Sequence, residues 1–289
     1  MAGVLKLVIL WIMFAHATLA DETNRFLFWK VDGEPGTAYL LGSIHVGTSD
    51  MYPLSPVITQ AFANSDTLVV EINLLDVDPA GAALLFTRKG LYQGEDTLES
   101  SLAPQTWQLL VAATKRYQLP LILLQRQKPW LAALTLTTWV FQQEGYSAEL
   151  GVDQYFLEQA GTAHNIVELE SLEQQLSIFN QFSPAEQEEF LLKTLQEIAE
   201  GSEYLKTLKS AWKNGDTAAI NELVNATLQT HSHIYQRLIT ERNKTMATKI
   251  IDLLNQGKIS FVVVGAGHLV GEDSIVQELS ARGYAVQRL

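Results

Sequence analysis

The chain has 289 residues, enough to bury a large hydrophobic core in one or two domains. Hydrophobic residues make up 47% of it and charged residues 18%, a composition typical of globular proteins rather than disordered ones. The formal net charge of −12 opposes binding to nucleic-acid phosphates, and no cluster of Lys and Arg offsets it. Cysteine is absent, which excludes disulfides, thiolate metal ligands and a cysteine nucleophile.

The first twenty residues have the order of a secretory signal. An early positive charge at Lys6 lies within the apolar stretch 4–14, and small residues follow as far as Ala20. This stretch is too short to span a bilayer comfortably, and no later stretch approaches a membrane span. We therefore predict cleavage after Ala20 or Ala17, and a periplasmic or secreted protein without a stable membrane span. An uncleaved anchor is the alternative.

The chain then alternates between strand-like and helix-like segments. Apolar runs at 26–31 and 38–41 flank a turn rich in Gly and Pro, which predicts a hairpin. Because strands that alternate with helices are typical of α/β proteins, we predict an α/β fold with a mixed or largely parallel sheet. Further strands are predicted at 67–72, 119–124, 165–169, 260–264 and 284–289, and helices after Pro56, Pro129 and Gly271 and over 98–117 and 152–160.

From Ser183 onward the strand pattern disappears for about seventy residues. Ser183-Pro-Ala-Glu186 is a capping box with proline at the first helical position, which marks the start of a helix. Helical periodicity continues to about residue 256 with a break at Asn214-Gly215, after which Asp216 is expected to cap the next helix and Gly257 to end the last one. We therefore predict a single domain over residues 21–289 with a helical insertion at about 183–256.

Two of the six histidines lie in related contexts. His45 and His268 each follow, by three residues, a glycine that ends a strand-like run, in Gly42-Ser-Ile-His45-Val-Gly47 and Gly265-Ala-Gly-His268-Leu-Val-Gly271. Ligands in open α/β sheets bind beyond the carboxyl ends of strands, and glycines let the backbone approach a bound group closely. We predict that the two motifs converge on one active site, although one such motif alone could simply cap a helix or satisfy a loop.

Glu71 stands where the predicted strand 67–72 ends. A carboxylate in such a place is seldom buried unless it is paired or bound to a cation. With His45 and His268, it would form a ligand set for a divalent transition metal (Mn, Co, Zn or Fe) that leaves positions for water or substrate. Such a metal lowers the pKa of bound water and polarises a carbonyl, as hydrolysis requires. The alternative for Glu71 is a structural salt bridge or a helix N-cap interaction.

Arg242 occupies the apolar stripe of the predicted helix before Gly257. An arginine that faces a core needs a carboxylate or a bound anion, so Arg242 could pair with Glu71 or stabilise an oxyanion. Asn243 beside it could donate a further hydrogen bond. The alternative is an arginine that reaches solvent from the edge of the stripe.

These strings resemble the TraB/GumN (PrgY) family over most of the chain from about residue 26. The family is related to the animal Tiki proteins, described as membrane-tethered metalloproteases active with manganese or cobalt, and more distantly to erythromycin-esterase-like and haem-binding ChaN-like proteins. The resemblance implies the fold of that superfamily, with metal or catalytic residues supported by two site residues. The strings that carry it are the two Gly-x-x-His motifs, Glu71, Glu241-Arg-Asn-x-x-Met-Ala247, Gly151-Val-Asp153 and Leu169-Glu-Ser-Leu-Glu-Gln-Gln175; the implied ligands are His45, Glu71 and His268, and the supporting residues are Arg242 and Asn243.

The sequence therefore predicts a metal-dependent hydrolase, in the first place a peptidase, that acts outside the cytoplasm on a peptide or small-molecule substrate. One alternative is a metal-independent esterase or amidase in which one histidine, oriented by Glu71, is the general base. The other is a protein that binds a peptide or haem without turnover.

Overall fold

The computed structural model describes residues 26–229 and 232–289. The predicted signal segment lies outside these residues, so its cleavage and the exported location stay predictions. Within the two described ranges, no helix combines the length and apolar character that crossing a bilayer requires.

The centre of the fold is a mixed sheet of six strands in the order β4-β3-β5-β2-β1-β6. The four strands β4, β3, β5 and β2 run parallel, whereas β1 is antiparallel to both β2 and β6. The predicted mixed α/β fold and the hairpin are therefore confirmed. The strands are β1 (Phe28–Asp32), β2 (Thr37–Ser43), β3 (Thr67–Val70), β4 (Asn165–Glu168), β5 (Ile259–Gly265) and β6 (Ala285–Arg288).

Apart from the β1–β2 hairpin, helices fill the connections between these strands. Those of the first two thirds of the chain are α1 (Pro56–Ala63), α2 (Pro79–Gly90), α3 (Leu98–Ser101), α4 (Pro104–Arg116), α5 (Pro129–Gln143), α6 (Val152–Ala160), α7 (Leu172–Asn180) and α8 (Pro184–Glu200). Those of the last third are α9 (Ser202–Lys213), α10 (Thr217–Ile220), α11 (Thr227–Gln229), α12 (Ser232–Tyr235), α13 (Glu241–Asn255) and α14 (Ile275–Ala281). Two π-helical turns, Asn221–Ala226 and Gln236–Thr240, join α10 to α11 and α12 to α13.

Local signals explain where many of these helices begin and end. Ser183 and Glu186 form the expected capping box, and Asp216 accepts the N–H of Ala219 at the start of α10. Gly257, with a positive φ of 73°, follows Gln256, the C-cap residue of α13. Among the described residues between β4 and β5, helices and π-helical turns extend from Leu172 to Asn255. That residues from about 183 to 256 form an insertion within a single domain stays a prediction.

The strand predicted at 119–124 is wrong, because this segment forms a loop with a single 3-10 turn, Leu121–Leu123. Leu119 and Leu124 are buried against α4 and α5, whereas Ile122 and Leu123 are 68% and 54% exposed. No strand of the described chain lies beside the segment, and Pro120 begins the turn. A short apolar run by itself does not distinguish a strand from a loop whose ends are anchored in a helical core.

The protein has a core around the sheet and a second core among helices. The sheet core includes Phe261 of β5, Phe156 of α6 and Met246 of α13, all fully buried. The second core lies between α4, α5 and α8, around residues such as Leu136 and Leu191. Helices that follow β3 therefore pack against helices that follow β4, and together they stand beside the carboxyl ends of the parallel strands.

Candidate active site

Three parallel strands deliver the predicted site residues to one edge of the sheet. Strand β2 ends two residues before His45, and β3 ends directly before Glu71. Strand β5 ends at Gly265, and the following 3-10 turn ends at His268. Because these strands are parallel neighbours, their carboxyl ends lie side by side.

Gly265 marks the point at which the three side chains meet. A methyl group added to its α-carbon would lie 3.3 Å from Glu71 Oε1, 3.3 Å from His45 Nε2 and 3.6 Å from His268 Cδ2. The distance from His268 Nε2 to Glu71 Oε1 is 3.9 Å. The structure thus brings the two Gly-x-x-His motifs and Glu71 together around a glycine that leaves the space between them free.

His45 is held by Asp153, the second residue of α6. His45 Nδ1 lies 2.8 Å from Asp153 Oδ2, and Ser43 Oγ donates to Asp153 Oδ1 at 2.9 Å. Since an ionised carboxylate only accepts, Nδ1 carries the proton and Nε2 faces the shared point beside Gly265. The charge of Asp153 raises the pKa of His45 to about 9. The carboxylate that orients this ring is therefore Asp153 and not Glu71.

His268 is buried and held by Asn243. Its Nδ1 donates to Asn243 Oδ1 at 2.6 Å, and Asn243 Nδ2 in turn donates to the carbonyl of Asp273 at 2.7 Å. Burial, with a further contribution from Arg242, lowers the pKa of His268 to about 4. At neutral pH the ring is therefore uncharged, and Nε2 carries a free lone pair on the side of Glu71. Asn243 acts through its acceptor oxygen toward His268, rather than as the donor expected from the sequence.

Both oxygens of Glu71 accept hydrogen bonds. The backbone N–H of Gly265 donates to Oε1 at 2.7 Å, while Arg242 Nη2 and Gln175 Nε2 donate to Oε2 at 2.7 and 2.9 Å. Burial alone would raise the pKa of Glu71, but other groups outweigh it. His268 is protonated at the low pH at which Glu71 would take up a proton, and its charge, the charge of Arg242 and the Gly265 N–H hold the pKa of Glu71 well below its usual range. Glu71 is therefore an oriented anion.

Arg242 lies between two carboxylates. It contacts Glu71, as one of the two sequence-based hypotheses stated, and it also donates from Nε and Nη2 to Glu170 at distances down to 2.7 Å. Nη1 donates to the carbonyl of Leu238 at 3.1 Å. These bonds engage four of its five N–H groups, so Arg242 holds Glu71 in place, and one N–H on Nη1 makes none of these bonds.

A cavity of about 570 Å³ lies over this group of side chains. Its floor is polar and includes Ser43, His45, Glu71, Arg242 and His268. Most of its wall is apolar and comes from helices and π-helical turns, among them Phe86, Leu134, Phe141, Leu172, Leu176, Ile178, Phe179, Leu208, Val224, Leu238 and Ile239. An apolar cleft with a few converging polar groups is the usual form of a small-molecule or catalytic site.

Comparison with known proteins shows the family of the chain. The profile of the TraB/PrgY/gumN family matches residues 27–288, which is nearly the whole described chain. The chain belongs to the TraB/PrgY/gumN family. The predicted resemblance is therefore confirmed, whereas no solved structure matches the chain.

The relatives of this TraB/PrgY/gumN protein include bacterial and animal proteins. It is 28% identical to YbaP of Escherichia coli (strain K12) over 242 residues, which cover 83% of this chain and 87% of YbaP. It is 25% identical to metalloprotease TIKI1 of Danio rerio over 321 residues, covering 93% of this chain and 64% of the relative. The metalloprotease TIKI homolog of Nematostella vectensis is 24% identical over 332 residues, covering 94% and 68%.

Sequence reasoning did not select three residues that complete this family member's site: Asp153, Glu170 and Gln175. Asp153 is 108 positions from His45, and Glu170 is 72 positions from Arg242, so no local pattern links the partners. The available signal was the family resemblance of the strings 151–153 and 169–175, which contain all three. Only the packing of α6 and α7 against the strand ends shows what these residues contact.

The donor atoms at this site fit a divalent transition metal in their chemistry. His45 and His268 each present Nε2 while Nδ1 is held by a carboxylate or amide oxygen, which is the usual arrangement around a metal-bound imidazole. Glu71 adds a charged oxygen, and two imidazoles with one carboxylate suit Zn, Fe, Mn or Co. Among the residues that the structure describes, no three His, Cys, Asp or Glu side chains are already grouped tightly enough to hold an ion.

The charges around the site also suit a divalent cation. With both imidazoles neutral, the carboxylates of Glu71, Asp153 and Glu170 stand against the single guanidinium of Arg242. This leaves two negative charges, which a bound divalent ion would balance. Without a metal, Asp153 favours a proton on His45, and the positive charge of that imidazolium offsets one of the two negative charges.

Proposed function

We propose that this TraB/PrgY/gumN protein is a metal-dependent hydrolase that cleaves peptide bonds, with water as the nucleophile. The observation that carries the proposal is the convergence of His45, Glu71 and His268 around Gly265 on the floor of a cavity. The relationship to proteins named metalloproteases supports a peptide substrate.

His45, Glu71 and His268 would hold the metal. When bound, the metal would supply a Lewis acid and a water molecule of lowered pKa. Asp153 and Asn243 hold the two rings through Nδ1, so that each Nε2 faces the same point. Such second partners fix the tautomer and raise the basicity of the ligand.

Two further parts of the chain would act on the substrate. The remaining N–H of Arg242 Nη1 would donate to the carbonyl oxygen of the scissile bond as negative charge develops there. The apolar cavity walls would exclude water from around this bond, which strengthens the electrostatic interactions at the floor.

The pair His45–Asp153 supports a second candidate function, a metal-independent esterase or amidase. The His45 side chain is 64% exposed, toward the cavity, and its Nδ1 is bound to a buried carboxylate. Because Asp153 raises the pKa of His45 to about 9, the ring would first have to lose its proton, so this activity would increase as pH rises toward about 9. Nε2 of the neutral ring would then take a proton from water, Asp153 would stabilise the imidazolium, and the proton would pass to the leaving group.

Metal analysis of protein purified without chelator, beside the Glu71→Ala variant, tests the first function. We expect a transition metal at about one per chain in the wild type and much less in the variant, with cleavage lost on chelation and restored by manganese or cobalt. Turnover that resists chelation would instead support the His45–Asp153 mechanism. Stoichiometric retention of peptide, or of haem with a Soret band, without turnover would support a binding protein.

We also propose that the protein acts in the periplasm or outside the cell, and that its fold is that of the erythromycin-esterase/ChaN-like superfamily. The signal-like order of the first twenty residues supports the location, and the mixed sheet with the candidate site at its parallel strand ends is compatible with the fold. Cell fractionation with N-terminal sequencing of the mature protein tests the location. An intact N-terminus in a cytoplasmic fraction would refute it.

A further inference from the structure

His45 stands between two cavities of different size and character. It lines the large cavity of about 570 Å³ above the site, and it also lines a second cavity of about 240 Å³ beside α6. A molecule that crosses this ring therefore has space on both sides of it. A chain-like substrate would be able to use both cavities at once.

The large cavity suits several apolar groups. Three phenylalanine rings, from Phe86, Phe141 and Phe179, contribute to its wall, and its charged residues all lie on the floor. A charged group placed against the apolar wall would therefore lose water without gaining a partner. The volume is nearly four times the roughly 150 Å³ of a cavity that encloses a benzene molecule, so it would accommodate more than one side chain.

The small cavity offers a different surface. Four of its six lining residues have polar side chains, namely His45, Glu149, Asp153 and Gln154. Glu149 is exposed, and hydrogen bonds from backbone and Ser147 hold its pKa below the usual range, so it presents a charge. In the large cavity most lining residues away from the floor are apolar, whereas in the small one Glu149 and Gln154 would offer hydrogen-bond partners to a polar segment.

We propose that the substrates are peptides in which a block of apolar residues adjoins a polar segment, and that cleavage falls at the junction, over His45. This inference rests on the proposed hydrolase function and adds the substrate class to it. The apolar block would fill the large cavity and the polar segment would lie in the small one.

Matched peptides test the proposal. Three eight-residue peptides would be compared: an apolar block of Leu, Val and Phe followed by Ser, Gln and Asn; the same blocks in reverse order; and a wholly polar peptide. At least one block order should give a kcat/KM about 100-fold above that of the polar peptide, since each buried apolar side chain is worth roughly ten-fold or more. Mass spectrometry should place the cut at the junction. Equal turnover of all three peptides, or cuts within a block, would overturn the proposal.

A variant that fills the large cavity provides a second test. Thr138 lies on α5, is exposed and lines this cavity. Thr138→Trp should lower kcat/KM for the block peptide roughly ten-fold or more, because the indole would occupy space that one apolar side chain needs. Thr245→Trp is the matched control, since Thr245 is also exposed on a helix and its hydroxyl also donates to the carbonyl four residues earlier. An equal loss in both variants would contradict a role for the cavity.

Binding separates this proposal from the hydrolase function on which it rests. A block peptide whose junction amide is replaced by a reduced CH₂–NH bond cannot be cleaved there, and calorimetry would measure its affinity for the wild type and for Thr138→Trp. Tighter binding than that of the polar peptide, weakened by Thr138→Trp, would support the substrate class even if no peptide were cleaved. Equal affinities would refute the substrate class, whether or not the protein hydrolyses other peptides.

Discussion

At the scale of single residues, each group that faces the centre of the site is held by a partner that fixes which atom it presents. Asp153 and Asn243 bind the Nδ1 atoms of His45 and His268, so both rings present Nε2. Gly265 contributes a backbone N–H to Glu71 and no side chain. Such fixed orientations lower the cost of reorganisation when a ligand or a transition state forms.

Gly265→Ala should reduce activity with little loss of stability. The new methyl group would stand 3.3 Å from Glu71 Oε1 and from His45 Nε2, tighter than an ordinary contact, and would occupy the space that a metal or substrate needs. With φ at −50° and ψ at 137°, the backbone already suits alanine. We expect a loss of about 10²-fold in kcat/KM, in line with the effect of small displacements at catalytic sites. Steady-state kinetics and urea unfolding measure the two effects, and unchanged activity would show that the three side chains do not act together.

Asp153→Asn should distinguish the two catalytic mechanisms. If His45 is a metal ligand, loss of its carboxylate partner should weaken metal affinity about 10–100-fold, and excess manganese or cobalt should restore turnover. If His45 is a general base, kcat should fall by up to about 10⁴-fold and metal should not restore it. The proposed function predicts the first result. Asp252→Asn, a change at an exposed helix position, is the control and should behave as the wild type.

At the scale of elements, a π-helical turn holds the loop that carries His268. Asn225, fully buried in the turn Asn221–Ala226, donates from Nδ2 to the carbonyls of Gly267 and Val270 at 3.0 and 3.3 Å. A side chain on Gly267 would meet Val224 at 2.8 Å, so turn and loop are in close contact. π-helical turns are frequent at functional sites. This turn connects the helical stretch directly to the active-site loop.

Helices α8 and α9 meet around a carboxyl group that should make stability depend on pH. Burial, with a smaller contribution from Glu200 and an opposing one from Lys193, raises the pKa of Glu197 from 4.5 to about 7, and Tyr204 faces it from α9. The folded protein then binds this proton more tightly than the unfolded chain. The stabilisation is full below pH 4.5 and is lost as pH rises toward about 7, on the order of 3 kcal/mol in total.

Glu197→Gln should therefore remove most of this decrease in stability between pH 5 and pH 8, because glutamine does not ionise. Urea unfolding at both pH values measures the free energy of unfolding for wild type and variant. Glu203→Gln, a change at an exposed position of α9, serves as control. Its free energy of unfolding should change with pH as that of the wild type does. If the free energy of unfolding of Glu197→Gln changes with pH as much as that of the wild type, Glu197 ionises in the folded protein as it does in the unfolded chain.

At the scale of the whole molecule, Arg242 joins three elements that are distant in sequence. It extends from α13 to Glu71 after β3 and to Glu170 after β4, and its side chain is only 14% exposed. A buried cation and two carboxylates stabilise one another, but removal of one of these groups leaves the charge of the others uncompensated.

Arg242→Ala should destabilise the protein by roughly 3–5 kcal/mol at neutral pH, because two buried carboxylates would then face each other. The loss should shrink as pH falls, since protonation of one carboxyl group removes the repulsion. Arg242→Lys keeps the charge but cannot form the paired bonds to Glu170, so a smaller loss is expected. Urea unfolding between pH 4 and pH 8 measures this. A pH-independent effect would indicate that Arg242 contributes only through packing.

Much of the architecture follows from the sequence alone, because its signals are local. The capping box at Ser183, the helix start at Pro129 and the glycine after α13 act through neighbouring residues, and the structure shows each of them. The two Gly-x-x-His motifs were also recognisable from the sequence, because each follows a strand that is predicted by its apolar run. The strand predicted at 119–124 was wrong, because the burial of the two ends of this segment in a helical core is a tertiary property.

The identity of the partners was decided only by the tertiary structure. Asp153, Glu170 and Gln175 lie on or beside elements whose local sequence gives no chemical reason to choose them, and their role comes from the packing of α6 and α7 near the strand ends. The cavity above the site is likewise formed by helices from two separate stretches of chain. Periodicity and capping determine each element through contacts a few residues apart, whereas charge pairing and cavity shape depend on contacts between residues about a hundred positions apart, which a single sequence does not specify.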